Sequence, residues 1–498
     1  MRLRLAVVLM LIAAQASAQK PSIPFAVPAM IETAAGEGAA SGESPQAGTP
    51  KPNDGSKKDG SKKDDSQRKD ASSDDSTSLP DNPLSFLRRQ RNQLKEFGIT
   101  FKLHEWSEVW GNLTGGGRRA TSYNGLTIAK LEVDLDKAVG WSGAQFQVSA
   151  LDIHGHGPTQ SLVGNRQIVS SIEATPSIKL YDLWLDQSLL DKRLSVRVGQ
   201  EGADGELMIT QYGALFVNAS FGFPGMAAAD LPSGAPAYPL TTPFARLKFQ
   251  ANDNLSLIGA VFNGDPAPPG GGDPQIRDRN GTAFRLDDHA LAIGEIAYSP
   301  DPKASEALPT TYKLGAWYAS NHFADQRIDS GGGLLANPAS TGRTLQHTGD
   351  WAVYGIVDQM VWQRSDQEDQ GIGIFLRVIG GPSDRNLSNL AIVGGMNWRA
   401  PFASREEDAF GIAVAYLGIS PAARRFSRDL IAFGGPNVPY AANETVVEAT
   451  YTAPITSYLT LQPDIQLVLN PGAGIPGPFG RRRLADTVVI GTRATIKF

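Results

Sequence analysis

Cysteine is absent from all 498 residues, which leaves no disulfide framework, thiolate nucleophile or cysteine–metal site. Charge of one sign is missing too. With 46 Lys and Arg against 51 Asp and Glu, the formal net charge is −5, and there is no basic field for nucleic acid. Histidine is scarce at 6 residues, and none stands beside a serine in a recognised hydrolase pattern. Past the first residues, no apolar run approaches the ~18 residues of a membrane helix. Mean hydropathy is slightly negative. This profile suits a soluble exported chain, or one that crosses a membrane on strands, which are only half apolar.

What is present divides the chain into segments. "MRLRLAVVLMLIAAQASAQ" sets Arg2 and Arg4 before an apolar run over 5–14 and the small residues Ala16, Ser17 and Ala18. The run falls short of the ~20 residues that span a bilayer, so residues 1–18 are expected to be a cleavable signal peptide. Residues 19–80 are low in complexity. Their core, "KPNDGSKKDGSKKDDSQRKDASSDDS", interleaves Lys and Asp and has no side chain able to build a core. Such a segment cannot offset its chain entropy and is expected to be a disordered periplasmic arm, either a spacer with peptidoglycan as a candidate partner or an inert tail. Residues 81–98, within "DNPLSFLRRQRNQLKEFG", bring Phe86, Leu87, Leu94 and Phe97 near one helical face, with Gly98 as a cap. Both a linker helix and a helix that plugs or edges the folded body fit that pattern.

From Ile99 to the end the period changes to two. "IAKLEVDLDKAVGW" alternates Ala129, Leu131, Val133 and Leu135 with Lys130, Glu132, Asp134 and Asp136. The same alternation runs through "YDLWLDQ", "LSVRVGQ", "FARLKFQ", "LTLQPDIQLVLNPG" and the terminal "TVVIGTRATIKF". Tight connections such as "SPDPK" and "ANDN" mix with long Gly/Pro-rich ones such as "DPAPPGGGDPQIRDRNG". A soluble β-sandwich array would alternate in the same way. Charges of both signs on the polar faces, and a rhythm with no domain boundary, favour one closed barrel over 99–498. That length suits an all-β transmembrane antiparallel barrel of about 16 strands.

"VRVGQEGADGELMITQYGALFVNASFGFP", "AVFNGDPA", "DRNLSNLAIVGGMNWRAPF", "NETVVEATYTAPI" and "DTVVIGTRATIKF" resemble the carbohydrate-selective porins of Gram-negative outer membranes, the OprB-type family. The similarity runs in order from about Phe97 to Phe498, and the arm before residue 80 lies outside it. The resemblance implies a 16-stranded barrel in the outer membrane through which sugars diffuse passively. It also implies loops folded inward to narrow the lumen, and it resembles the pattern in which a terminal aromatic, here Phe498, is recognised by the barrel assembly machinery. Outer-membrane lipids are then partners as well, and a homotrimer is a candidate assembly on which the strand faces are silent. No cofactor is called for. The alternative is a general or ion-selective diffusion porin without a sugar site.

Sugar recognition needs hydrogen-bonding groups for hydroxyls and aromatic faces for the apolar side of the ring. Guanidinium groups supply donors in fixed geometry and carboxylates accept from hydroxyls. The polar parity offers Asp182, Trp184 and Asp186 on one strand, Arg197 on the next, then Arg246 and Lys248, and Lys130 and Glu132 on an early strand. Trp184 is read either as a stacking platform or as a ring in an interface girdle or packed under a loop, and each of the charged residues either as a sugar contact or as a group that solvates and cross-links the wall. "GQEGADGELMITQYG" breaks the strand pattern and reads as a loop carrying Glu201, Asp204 and Glu206. In "HEWSEVWGN", Glu108 shares its parity with Trp106 and Trp110, so lipid-girdle and lumen roles stay open. The pair His154 and His156 in "HGHG" lacks a further ligand nearby and is weak as a metal site. A barrel enzyme would need a nucleophile and base clustered at one rim, and no such cluster is visible.

Overall fold

A computed structural model describes residue 91 and residues 93–302, 307–364, 367–480 and 482–497. The expected signal peptide, the arm, most of the 81–98 helix and Phe498 lie outside the described residues.

The strands begin with β1 (Ile99–Thr114), β2 (Thr121–Asp134), β3 (Ala144–Gly155) and β4 (Ser177–Leu189). Next come β5 (Leu194–Glu201), β6 (Thr242–Asn252), β7 (Leu255–Asn263) and β8 (Ala290–Tyr298). The second half holds β9 (Thr310–Asp329), β10 (Thr344–Arg364), β11 (Gln367–Gly380) and β12 (Ser388–Arg399). The last are β13 (Ala409–Ile419), β14 (Asn443–Pro454), β15 (Leu459–Leu469) and β16 (Thr487–Lys497). Each pairs antiparallel with its chain neighbours, and β16 pairs back onto β1, so the barrel of 16 strands has no open edge. Closure is what lets strands cross a bilayer, because every ladder N–H and C=O finds a partner. Among the described residues no helix is long and apolar enough to cross a membrane.

Alternation divides each strand between two environments. On β1, Glu108 and Trp110 are buried inside while Val109 between them is 57% exposed on the outer wall. This settles the parity of Trp106 and Trp110, which face inward. Trp110 lies flat against Gly491 of β16, where an added Cβ would stand 2.3 Å from the indole, so the seam strand needs glycine there.

Three local expectations change. β2 stops at Asp134, whose carboxylate accepts from the N–H groups of Asp136 at 3.1 Å and Lys137 at 3.3 Å. That cap starts the short helix Leu135–Val139, so Leu135 and Asp136 leave the strand alternation. The "SPDPK" connection is not tight, since β8 ends at Tyr298 and β9 starts at Thr310. Glu201 belongs to the end of β5 and not to the loop.

The alternate rims differ as expected of a porin-like barrel, with longer connections on one end. Two of these, 156–176 and 202–241, fold into the lumen. Leu162, Val163 and Val169 of the first and Phe216, Val217 and Phe221 of the second pack with inner-wall Phe375, Val446 and Val489. Met208, Phe223 and Met226 pack with inner-wall Trp317, Tyr354 and Ile379. The hydrophobic core therefore lies inside the barrel.

Buried wall residues hold these loops by their backbones. Asp358 accepts from the N–H groups of Gln211 and Tyr212 at 3.0 and 3.2 Å. Glu448 accepts from Val217 and Asn218 at 2.6 and 2.9 Å. Glu444 accepts from Arg166 at 2.8 Å and Gln167 at 2.7 Å, and from Gly472 of the β15–β16 connection at 2.6 Å. Arg377 donates to the carbonyls of Met208 at 2.7 Å, Ser220 at 2.6 Å and Gly222.

Candidate functional site in the barrel lumen

The register of β4, β5 and β6 sets Asp186 beside Arg197, and Arg197 beside Arg246. All three are on the inward parity, so one cross-strand row carries an acid and two guanidinium groups. Arg197 Nε donates to Asp186 Oδ2 at 2.9 Å, and its Nη1 donates to Glu201 Oε1 at 3.0 Å. Arg246 Nη2 reaches the same Asp186 oxygen at 3.1 Å and Glu206 Oε1 at 3.0 Å. Ser195 donates to Asp186 at 2.6 Å. Lys248 Nζ stands 4.0 Å from Glu206. Three cationic groups thus face three carboxylates within one compensated network.

The network has an open side. Side-chain exposure is 47% for Lys248 and 26% for Glu206, against 4% for Arg246. Arg197 and Arg246 have fixed partners behind them, while Glu206 and Lys248 present free acceptor and donor capacity to water in the lumen.

Trp184 is on the lumen side but is only 7% exposed. The guanidinium carbon of Arg197 stands 3.9 Å from its ring centroid, a cation–π contact that covers that face. The ring supports Arg197, so stacking of a sugar on that face requires the guanidinium to move.

The other expected residues are not brought to this network. Asp182 is buried and accepts from Gln147 at 3.1 Å and Ser149 at 2.8 Å. Asp204, in the 202–241 loop, accepts from the N–H of Tyr238 at 2.9 Å, and burial pushes its carboxyl up to about 7. Glu132 pairs with Lys102 at 3.2 Å, with Lys130 half-buried on the same inward face of β2. Glu108 is fully buried, bonded to Trp110 Nε1 at 2.8 Å, Asn124 at 2.9 Å and Arg493 at 2.6 Å. Sequence reasoning missed Ser195 as a member of the network, and it missed the loop anchors Asp358, Arg377, Glu444 and Glu448. Inward charges at strand positions were visible for Glu444 and Glu448, but their loop partners stand far away in the chain. Among the described residues no group of three His, Asp or Glu is arranged to hold a metal ion.

A closed 16-stranded antiparallel barrel, with a polar lumen narrowed by its own loops, defines a porin-type channel. The model of the carbohydrate-selective porin OprB family matches residues 118–498. Porin B of Pseudomonas aeruginosa is 24% identical over 406 residues, covering 77% of this chain and 85% of that protein. The high-pH structure of OprB from Pseudomonas putida superposes with a TM-score of 0.73 at 20% identity, over 83% of this chain and 97% of that one. The chain belongs to the OprB family of carbohydrate-selective porins. It is an outer-membrane channel that favours carbohydrates, and a channel rather than an enzyme.

Proposed function

We propose that the network of Asp186, Arg197, Glu201, Glu206, Arg246 and Lys248 is the step at which a passing sugar exchanges water for protein hydrogen bonds. The observation that carries this is charge compensation. An ion-selective constriction presents an uncompensated ring of one sign. Here a cation or an anion meets both signs within a few ångströms, so neither is favoured. A neutral polyol meets donors and acceptors side by side, which is what vicinal hydroxyls need. Partial exposure of Glu206 and Lys248 keeps these bonds competitive with water, so the solute leaves again.

On this reading the solutes are monosaccharides and small oligosaccharides moving down their gradient into the periplasm. The signal peptide 1–18 is removed on export, the barrel assembly machinery inserts 99–498 among outer-membrane lipids, and the arm 19–80 reaches toward peptidoglycan. Liposome swelling with glucose against amino acids of equal size tests the central claim. Faster glucose entry is expected, and equal rates would leave a general diffusion porin. Arg246→Ala is expected to weaken block of ion conductance by glucose on the order of tenfold, the loss of about 1.4 kcal/mol. Unchanged block would remove the network from the sugar path.

A further inference from the structure

Where the inward 202–241 loop meets the barrel wall, three buried side-chain oxygens have no hydrogen-bond partner among the described residues: Asp230 Oδ2, Asp350 Oδ2 and Asn386 Oδ1. Asp350 and Asn386 are fully buried. Interior oxygens of this kind ordinarily find donors. Asp350 belongs to β10, Asn386 to the β11–β12 connection, and Asp230 ends the short helix Gly225–Asp230 of the loop.

The other atoms of these groups tie all three to one short segment. Asp230 Oδ1 accepts from the N–H of Leu387 at 2.9 Å and of Ser388 at 3.2 Å. Asn386 Nδ2 donates to Asp350 Oδ1 at 3.1 Å. Residues 386–388 are consecutive, so a carboxylate from the loop and one from the wall are held against neighbouring positions of the chain. Gly381, at the other end of the connection, keeps space beside them. A Cβ there would stand 2.7 Å from the Trp351 carbonyl and 3.5 Å from Asn386 Nδ2. Neither carboxylate has a bonded lysine or arginine among the described residues. Arg385, next to Asn386, is turned to Asp384 at 2.9 and 3.0 Å and to the Gly349 carbonyl at 2.7 Å. Burial pushes the Asp230 carboxyl well above the usual carboxylate range, and the charge of Asp350 adds to the shift.

We propose that Asp230, Asp350 and Asn386 bind a calcium ion that pins the 202–241 loop to the barrel wall. Two buried carboxylates without a bonded cation are destabilising until a positive charge neutralises them. The donor set is oxygen alone, which selects a hard cation over zinc or copper. Only two of the three ligands are acids, so the amide oxygen completes the set. Calcium accepts about six to eight oxygens in adaptable geometry, amide oxygens among them, with water filling the rest, whereas magnesium demands a near-ideal octahedron and gives up water reluctantly. Groups held at a loop, a strand and a connection suit the adaptable ion. The site is independent of the sugar reading, because none of the three residues bonds to Asp186, Arg197, Arg246 or Glu206.

The test strips the detergent-folded full chain with EGTA and titrates it with calcium chloride by isothermal calorimetry. One saturable site per chain is expected, and calcium should raise the unfolding temperature by mass action. Magnesium at the same concentration should raise it less, and equal shifts would overturn the assignment to calcium. Asp230→Asn keeps the acceptor for Leu387 and Ser388 and removes one charge. It is expected to weaken calcium binding on the order of a hundredfold. Its unfolding temperature in EGTA should equal or exceed that of the wild type, because the carboxylate repulsion is gone. A purely structural Asp230 would instead lower it. Absence of calcium binding to the wild type, or binding that persists in both Asp230→Asn and Asp350→Asn, would overturn the proposal. If a substituted chain does not fold, proteolysis of the wild type decides. Calcium is expected to slow cutting within 202–241, and equal cutting with calcium and with EGTA would overturn the pinned loop.

Discussion

Arg377 illustrates how one side chain sets the width of the lumen. It is fully buried and donates to three carbonyls of the 202–241 loop, an array that no shorter or apolar residue reproduces. Arg377→Leu leaves those carbonyls without their donor, at about 1–3 kcal/mol for each group left unsatisfied. The barrel ladders do not depend on it. Strand content by circular dichroism is therefore expected to stay, while single-channel conductance rises and glucose discrimination falls. Unchanged conductance would show that the loop is held by its apolar packing alone. At this scale the sequence was informative about direction and silent about company. Period-two parity was enough to turn Asp186, Arg197, Arg246 and Lys248 inward. It did not reveal that Arg197 lies on Trp184, or that Asp182 and Asp204 are spent on Gln147, Ser149 and Tyr238, because those contacts depend on register and on loop placement.

Among the elements, the inward loops carry groups whose protonation belongs near neutral pH. In the 156–176 loop, Glu173 accepts from the N–H of Thr159 at 3.0 Å, and burial pushes its carboxyl from the usual 4.5 up to about 7. Asp204 in the neighbouring loop is pushed from 3.8 to about 7 by the same cause. Between the ordinary and raised values, the folded loop holds a proton that the unfolded loop has released. Stability from each group is thus complete below its ordinary value and is lost as pH rises through about 7. Limited proteolysis of the intact barrel is expected to cut the 156–176 loop faster at about pH 8 than at about pH 6. Glu173→Gln should flatten that step, because the amide keeps an acceptor without titrating. A step that survives the substitution would assign it to another group. Neither loop's inward path was readable from composition. "GQEGADGELMITQYG" signals only a break in alternation, and the wall residues Asp358 and Arg377 that hold the loop lie more than a hundred positions further on. The tight "ANDN" turn was readable because its chemistry is local, whereas the Asp134 cap shows a local signal masked by a strong strand pattern.

For the whole molecule, the decisive contact is the seam between the first and last strands. "TVVIGTRATIKF" was readable as a closing strand because one face is apolar and the other polar to its end. β16 does close on β1, with Glu108 directly opposite Arg493. What the pattern did not disclose is that this pair is buried: Arg493 Nε donates to Glu108 at 2.6 Å, and its Nη2 to Ser171 of the inward 156–176 loop at 2.8 Å. One guanidinium therefore ties closure of the barrel to the loop that narrows it. Removing one partner of a buried pair strands the other charge, at about 3–5 kcal/mol. Replacing both by apolar residues of similar volume is often nearly neutral. Arg493→Leu is accordingly expected to lower the temperature at which the detergent-folded barrel converts to its slower-migrating unfolded form on gels. Glu108→Leu combined with Arg493→Leu should recover most of that loss, although the Trp110 and Asn124 groups bonded to Glu108 forgo an acceptor. If the double variant unfolds as readily as the single one, the seam is held by those hydrogen bonds and not by the ion pair.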